Sequence, residues 1–180
     1  RTDEYGGDLV GRTRFASRII HAVRKAVGSQ FPIIFRFSQW KTGHYDAKLA
    51  RTPVELEDFL TPLTEAGVDI FDCSTRRFWE PEFEGSRLNL AGWTKKLTGK
   101  PAISVGSVGL NREFTNVFDG GPEAEAASID PLVERMQAGE FDLIAVGRAL
   151  LADAEWAQKV HHSREKEIRQ FTKEALQSLS

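Results

Sequence analysis

The feature of this sequence that most constrains its fold is the alternation of short apolar runs with longer amphipathic segments. Four apolar runs of strand length occupy residues 31–38, 68–75, 101–107 and 141–148. Each run is nearly continuous in apolar residues, which is typical of a strand covered on both faces. Because strands connected through helices run parallel, the alternation predicts an α/β fold with a parallel sheet.

The amphipathic segments have recognisable helix ends. Apolar residues at helical spacing precede Gly28, and Thr52 and Glu55 form a capping box with Pro53 at the first helical position. Gly67 ends that second helix. Further helices are predicted over residues 88–97 and 132–138, beyond Arg148, and in the tail after His161. Residues 119–130 are predicted to form a surface insertion, because nothing in them is apolar enough to pack.

Composition excludes several classes of function. The 180 residues are 41% hydrophobic and carry 24 basic against 26 acidic side chains, so nothing in the charge balance indicates a nucleic acid or an anionic membrane as partner. With one cysteine and no metal-ligand spacing, the sequence predicts no disulfide, no metal site and a reducing cytoplasm as the compartment. We interpret Cys73 as a small buried strand residue rather than a nucleophile, and His161 and His162 as exposed.

Glycines at strand ends discriminate between two kinds of parallel sheet. A dinucleotide fold would place Gly-x-Gly-x-x-Gly after its first strand, and no such pattern follows Ser38. Glycines instead end the last two runs, in Gly106-Ser107 and Gly147-Arg148. Barrels of the (β/α)8 type commonly bind phosphate at the ends of their seventh and eighth strands, so these residues are candidates for a phosphate site. The alternative is that they are turn glycines followed by a solvated arginine.

Four segments together resemble the old yellow enzyme family of FMN-dependent NADH:flavin oxidoreductases and ene-reductases. They are Arg1-Thr2-Asp3-Glu4-Tyr5-Gly6-Gly7, Phe35-Arg36-Phe37-Ser38, Val105-Gly106-Ser107 and Val146-Gly147-Arg148. The resemblance implies an α/β (β/α)8 TIM barrel, of which this chain supplies the last four βα units and the C-terminal helices. Residues 1–180 would then be the C-terminal half of a single FMN-binding domain, and we expect a longer protein.

The resemblance also implies roles for individual residues. Arg36 would reach the flavin ring near N1 and the C2 carbonyl, with a structural ion pair as the alternative for a lone strand arginine. Gly106 and Ser107 would offer main-chain donors to the FMN phosphate, and Gly147 and Arg148 would complete that cradle.

Substrate contacts are expected in the loops that follow the first two strands. Their aromatic residues are candidates for contacts with an apolar substrate or the flavin edge, with ordinary loop packing as the alternative: Trp40, Tyr45, Phe78 and Trp79. The family holds the substrate carbonyl with a histidine pair or a histidine and an asparagine on its fourth strand, often with a tyrosine beyond. No catalytic residue is therefore predicted in this chain, because these positions would lie before Arg1.

The resulting hypothesis is an FMN oxidoreductase that passes hydride from NADH or NADPH, through the flavin, to an electron-poor alkene such as an enone. The full-length protein would be the enzyme, with a homo-oligomer left open as its assembly, and the isolated piece would be inactive. An alternative is a non-catalytic half-barrel that self-associates or docks on a partner half. A third interpretation keeps the barrel but takes a sugar phosphate as ligand, and Arg36 weighs against it.

Overall fold

Four short strands form a parallel sheet in the order in which they occur along the chain. The computed structural model describes residues 1–113 and 124–177. Within them the strand order is β1-β2-β3-β4, and each neighbouring pair is parallel. The strands are β1 (Ile34–Ser38), β2 (Ile70–Ser74), β3 (Ala102–Val105) and β4 (Leu143–Ala145). The predicted α/β alternation and parallel sheet are confirmed, and each strand occupies part of one apolar run.

Helices precede, connect and follow the strands. They are α1 (Leu9–Val27), α2 (Pro53–Ala66), α3 (Leu90–Thr98), α4 (Asp130–Gln137), α5 (Arg148–Ala152) and α6 (Trp156–His161). The prediction of one more helix in the tail is wrong. Two 3₁₀ segments, Glu165–Glu167 and Lys173–Leu176, stand there instead. Neither segment contains a buried residue, and the buried residue of the tail, Phe171, lies between them and outside any helix.

Local hydrogen bonds start and stop the helices that position the strands. The Thr52 side chain accepts a hydrogen bond from the Glu55 amide at 3.2 Å, as the capping box predicts. The Glu55 carboxylate accepts from the Arg51 amide at 2.6 Å, one residue earlier than in the standard box. Gly67 ends α2 in the left-handed conformation at φ 110°, which only glycine adopts without steric cost.

The two faces of the sheet differ in how far the helices cover them. Alternate strand residues, including Phe37, Phe71 and Cys73, lie in the main hydrophobic core together with apolar residues of the helices. We call this the covered face. Side chains of the other alternation belong to the open face, where Ile34 is 54% and Leu143 is 47% exposed. Burial of the covered face is the principal source of stability, because apolar area removed from water dominates the folding free energy.

A second, smaller core corrects the prediction for the insertion. Ala124 is buried beside Leu110, Ala152 and Phe171. The expectation that nothing in residues 119–130 packs is therefore wrong for Ala124, and it is also wrong for Ile129, which packs partly buried against the main core. Residues 119–123 of that prediction lie outside the described residues, and α4 already begins at Asp130.

Three hydrogen bonds donated by Arg135 hold the loop between β2 and α3. Its guanidinium donates to the carbonyl oxygens of Phe78 at 2.7 Å, Arg87 at 2.9 Å and Trp79 at 3.3 Å. The side-chain amide of Asn89 donates to the same Phe78 carbonyl oxygen at 2.9 Å. This loop is thereby tied to α4 at the carboxyl edge of the sheet.

None of the helices in the described part of the chain combines the length and the apolar character needed to cross a membrane.

Candidate functional site

The carboxyl ends of all four strands meet around one cavity of about 290 Å³. In a parallel sheet these ends share one edge, which is where α/β proteins bind ligands. The cavity is lined by Arg36, Trp40, Ser74, Thr75, Arg76, Val105, Gly106, Ser107, Val108, Leu110, Ala145, Gly147 and Arg148. All five residues predicted to bind the cofactor therefore line a single space, although they come from three different strand ends.

The turn after β3 requires its unusual backbone. Gly106 has φ 137°, and a Cβ atom at this position would stand 2.6 Å from Oγ1 and 2.7 Å from the carbonyl oxygen of Thr75. Only glycine permits this approach of the two strand ends. Ser107 follows at φ 53°, and its hydroxyl lies 2.9 Å from the carbonyl oxygens of Arg76 and Arg112. The hydroxyl thus holds two loops at the cavity wall.

Arg148 extends its guanidinium into the same corner. It donates to the Arg112 carbonyl at 2.5 Å, and to the Glu113 carbonyl and the Ser107 hydroxyl at 3.4 Å each. Burial lowers the pKa of this guanidinium, and the nearby charge of Glu113 opposes that shift. Arginine keeps its charge in proteins, so this corner presents a half-buried cation. A Cβ at neighbouring Gly147 would meet no atom within 4 Å, which leaves open space beside the cation.

Arg36 stands on the opposite side of the cavity, on β1. It donates to Asp72 Oδ2 at 2.7 Å and to the Ser74 hydroxyl at 3.3 Å. Arg36 and Asp72 are register partners on neighbouring strands, so the sheet itself sets this pair. The structural ion pair considered as the alternative is thus present, and the Arg36 side chain remains 54% exposed toward the open face. Asp72 Oδ1 is buried and accepts no hydrogen bond from the described residues.

Sequence reasoning missed Arg76, the third arginine of the cavity. It lies two residues beyond the end of β2 and also lines a neighbouring cavity of about 100 Å³. Its Nε lies 3.2 Å from Oε2 of buried Glu113, and its guanidinium carbon lies 5.5 Å from the ring centre of Tyr45. No signal in the pattern of apolar residues separates it from an ordinary loop arginine.

The four predicted aromatic residues divide into two groups. Trp40 lines both cavities and Tyr45 lines the smaller one, with their ring centres 5.6 Å apart. Phe78 belongs to the main core at 4% exposure, and Trp79 packs edge-on against it at 5.1 Å. The structure therefore brings Trp40 and Tyr45 to the site, whereas Phe78 and Trp79 line neither of these two cavities. Their contact with substrate stays a prediction.

The smaller cavity contains a buried carboxyl group. Burial raises the pKa of Glu82, against the hydrogen bond and charge of Lys48, whose Nζ lies 2.5 Å from Glu82 Oε1. Gln39 donates to the same oxygen at 3.0 Å. These contacts join the loop after β1 to the loop after β2.

The remaining reactive side chains lie away from the cavity. Cys73 is fully buried, and burial raises the pKa of its thiol to about 12, so it remains protonated and unreactive. His161 and His162 are exposed, as predicted. Among residues 1–113 and 124–177, no three His, Cys, Asp or Glu side chains gather as metal ligands do.

The larger cavity is rich in basic side chains. Within the described residues its lining holds three arginines, Arg36, Arg76 and Arg148, and no acidic residue. Guanidinium groups present forked N–H donors that match phosphate and carboxylate oxygens. The fold and the site together define a parallel α/β protein with an arginine-rich cavity at the carboxyl edge of its sheet.

The comparison with protein families narrows this class. The model of the NADH:flavin oxidoreductase / NADH oxidase family matches residues 1–167, and the chain belongs to this family. The resemblance seen in the sequence is confirmed, as is the fold as part of a (β/α)8 barrel. FMN is the cofactor of this family, as the resemblance implied, and NADH is the reductant that the family is named for.

Known relatives are longer than this chain. It is 36% identical over 180 residues to an NADH oxidase of Thermoanaerobacter brockii, covering 94% of this chain and 24% of that protein. It is 29% identical over 188 residues to a cinnamate reductase of Clostridium sporogenes, covering 94% and 25%. Among solved structures, histamine dehydrogenase from Rhizobium sp. 4-9 superposes with a TM-score of 0.61 at 27% identity, covering 94% and 22%. The chain thus spans about a quarter of the length of these curated relatives.

The residues present fit one end of FMN. Its phosphate is a dianion that needs cationic and polar donors. Arg148 provides the cation beside the open space at Gly147, and the main-chain N–H groups of Gly106 and Ser107 are the candidate polar donors. The 290 Å³ of the cavity is at the lower limit for small-molecule sites, as expected where one part of a barrel supplies only part of the site.

Proposed function

We propose that this chain is the phosphate-binding part of an FMN-dependent oxidoreductase, and that residues 1–180 form the C-terminal half of a single FMN-binding barrel domain. The observation that supports this proposal is the single cavity shared by Arg36, Gly106, Ser107, Gly147 and Arg148. We call the part of the cavity formed by Gly106, Ser107, Gly147 and Arg148 the phosphate corner. A sugar-phosphate ligand would use this corner equally well, but it would give no role to Arg36 on the far side.

In this proposal the phosphate corner binds and orients the cofactor. Arg148 supplies the charge, and the carbonyl oxygens of Arg112 and Glu113 fix the position of its guanidinium. The main chain of Gly106 and Ser107 approaches the phosphate, since the absence of a Cβ at Gly106 keeps the two strand ends close. These groups are already held in place by the fold, so binding of the cofactor would lose little free energy in ordering side chains.

Arg36 acts at the other side of the cavity. Asp72 and Ser74 hold its guanidinium on the open face, where a fixed positive charge would stabilise the anionic reduced form of a flavin. The chemistry that FMN supplies when bound is hydride transfer, from NADH or NADPH to an activated alkene such as an enone. The residues that hold the substrate carbonyl are expected before Arg1, so the isolated 180-residue polypeptide would be inactive.

An activated alkene as substrate is supported by one relative. Cinnamate reductase acts, by its name, on a compound whose alkene is conjugated with a carboxylate. Trp40 and Tyr45 at the mouth of the cavity offer apolar faces for such a planar molecule.

Reconstitution with FMN tests the proposal. We expect the full-length protein to take up FMN with the absorbance of bound flavin, and Arg148→Ala to raise the Kd for FMN at least tenfold, because a charge-assisted contact to the phosphate is lost. Arg87→Ala, at an exposed position outside both cavities, is the matched control and should leave the Kd unchanged. Absence of bound flavin in the wild type, or equal affinities in wild type and Arg148→Ala, would contradict the proposal.

The alternative function, a half-barrel that docks on another half, is favoured by a separate observation. Apolar side chains stand exposed on the open face, such as Ile34 and Leu143, and along α1, such as Phe15 and Ile19. Monomeric proteins seldom leave contiguous apolar surface of this kind in water. Size-exclusion chromatography of the 180-residue polypeptide tests self-association, and a stable monomer would argue against it.

A further inference from the structure

Phe171 lies in the tail, beyond the last helix, yet its ring contacts a residue of the phosphate corner. The guanidinium carbon of Arg148 stands over this ring, 5.5 Å from its centre. Phe171 is 1% exposed and belongs to the smaller core with Leu110, Ala124 and Ala152. Leu110 also lines the larger cavity, so the smaller core adjoins that cavity. Phe171 therefore connects the tail to the cation of the proposed phosphate site.

We propose that Phe171 is a positioning residue for FMN binding, whose ring supports the guanidinium of Arg148 at the place where it meets the phosphate. The inference rests on the function proposed above, and it adds the tail to the parts of the chain that determine affinity for the cofactor. Phe171 lines neither of the two cavities described above. It therefore acts on binding through Arg148 and not by touching the cofactor.

The ring holds the guanidinium without using its hydrogen-bond donors. An aromatic ring attracts a cation through the negative charge of its face. The hydrogen bonds to the carbonyl oxygens of Arg112 and Glu113 and to the Ser107 hydroxyl come from Nη1 and Nη2, and Nε takes part in none of them. Support from Phe171 therefore does not compete with a phosphate for the N–H groups of Arg148.

Burial strengthens the contact between the ring and the cation. Phe171 is closed off from water, and Arg148 is half-buried. A cation–π contact is stronger where water is excluded, because water no longer screens the attraction. Without the ring, the guanidinium of Arg148 would lose a partner that offsets its partial loss of hydration, and it would turn more readily toward water.

Hydrogen bonds fix the tail segment that carries Phe171. The main-chain amide of Arg169 donates to Oδ2 of buried Asp153 at 2.9 Å. The side-chain oxygen of Gln170 accepts from the main-chain amide of Ala126 at 2.9 Å. The two residues before Phe171 are thus tied to two different segments of the chain. This attachment keeps the ring in one position, as support of a binding residue requires.

Two flavins that differ only in the phosphate test the inference. FMN carries the phosphate group and riboflavin lacks it, so the ratio of their Kd values measures what the phosphate corner contributes to binding. We measure both Kd values by the quenching of flavin fluorescence, on full-length protein from which flavin has been removed. Wild type should bind FMN more than tenfold more tightly than riboflavin, and Arg148→Ala should lower this ratio about tenfold.

Variants assign part of that ratio to the ring. Phe171→Leu should raise the Kd for FMN about fivefold and leave the Kd for riboflavin unchanged, because the core keeps an apolar side chain while Arg148 loses its support. In the Arg148→Ala background the same substitution should change neither Kd, since the side chain that Phe171 positions is absent. Phe141→Leu is the matched control: Phe141 is also 1% exposed but belongs to the main core, and both Kd values should stay at their wild-type values.

The outcomes separate the possible failures. A wild type that takes up no flavin, or binds FMN and riboflavin equally, contradicts the proposed function. A ratio that stays at its wild-type value in Phe171→Leu, or an effect of the same size in the Arg148→Ala background, overturns the present inference alone. Phe171→Met, whose flexible side chain refills the core without a ring, is measured beside it. Equal weakening of both flavins in the two variants, as a misfolded site would give, also overturns the inference and leaves Phe171 as a core residue only.

Discussion

The two faces of the sheet carry opposite kinds of residue on the same strands. On β2, Phe71 and Cys73 belong to the covered face and are fully buried, while Asp72 between them belongs to the open face and pairs with Arg36. The open face also carries half-exposed Ile34 and Leu143. The period of two along a strand therefore separates the groups that stabilise the fold from those that face the candidate cofactor site.

This difference shows where the chain tolerates change. Covered positions are held by packing on every side, so that any loss of volume leaves a cavity. Apolar open positions such as Ile34 and Leu143 keep contact with water, and the polar pair of Arg36 and Asp72 is positioned by strand register rather than by close packing. The following predictions test this contrast, using the isolated 180-residue polypeptide.

The largest effect is expected for Phe71→Ala on the covered face. Loss of a fully buried phenylalanine should lower the free energy of unfolding by about 3–5 kcal/mol. Leu143→Ala on the open face is the matched control and should cost less than about 1 kcal/mol, because nearly half of that side chain is already in water. Urea unfolding measures both. Equal costs would break the contrast and indicate that the open face is covered in solution.

An intermediate effect on the free energy of unfolding is expected for Gly106→Ala, directly after β3 at the carboxyl edge of the sheet. The added methyl group would overlap Thr75 and force a positive φ on alanine, and we expect a loss of about 2–3 kcal/mol. Gly147→Ala, whose Cβ would point into open space, should cost at most about 1 kcal/mol. The same urea titration compares them, and similar losses would show that the approach of the strand ends at Gly106 is not the constraint.

The smallest effect is a pH dependence that originates in Cys73. Its pKa is raised to about 12 in the folded chain from an ordinary value of 9.0, so above pH 9 the unfolded chain releases a proton that the folded chain retains. The neutral thiol therefore makes its full contribution to the free energy of unfolding below pH 9. This contribution is lost as the pH rises toward 12, and about 1 kcal/mol of it is lost near pH 10.

Comparison with Cys73→Ala isolates this contribution from the other groups that titrate in the same range. The variant should be less stable near pH 8, and the difference from wild type should shrink as the pH approaches 10. A difference that stays constant over this range would show that the buried thiol does not titrate as predicted.

Much of the fold was predictable because it depends on local patterns. Runs of apolar residues identified the strands, and Thr52 and Gly67 marked the limits of α2. The glycines of the proposed phosphate site could be named as candidates because two consecutive strand ends carry them, in Gly106-Ser107 and Gly147-Arg148. The prediction of a helix in the tail was wrong although Ile168, Phe171 and Ala175 have helical spacing, because these side chains pack against two different cores.

The rest of the site depends on contacts between distant segments. The pairing of Arg36 with Asp72 needs the register of β1 on β2, which no local pattern determines. The place of Arg76 depends on a loop whose path is set by Arg135 and Asn89, and the same path takes Phe78 into the core. Residue type could therefore suggest candidates, whereas tertiary contacts determine which of them meet.

The three hydrogen bonds from Arg135 restrict the motion of the loop between β2 and α3. Residues 78, 79 and 87 are all held by one side chain on α4, so this part of the loop cannot fluctuate alone. Opening of this part of the loop breaks all three hydrogen bonds at once, so we expect amide hydrogen exchange in residues 78–88 to occur as one cooperative unit. Residues 80–82 of the same loop line the smaller cavity, so one wall of that cavity is held in place from α4.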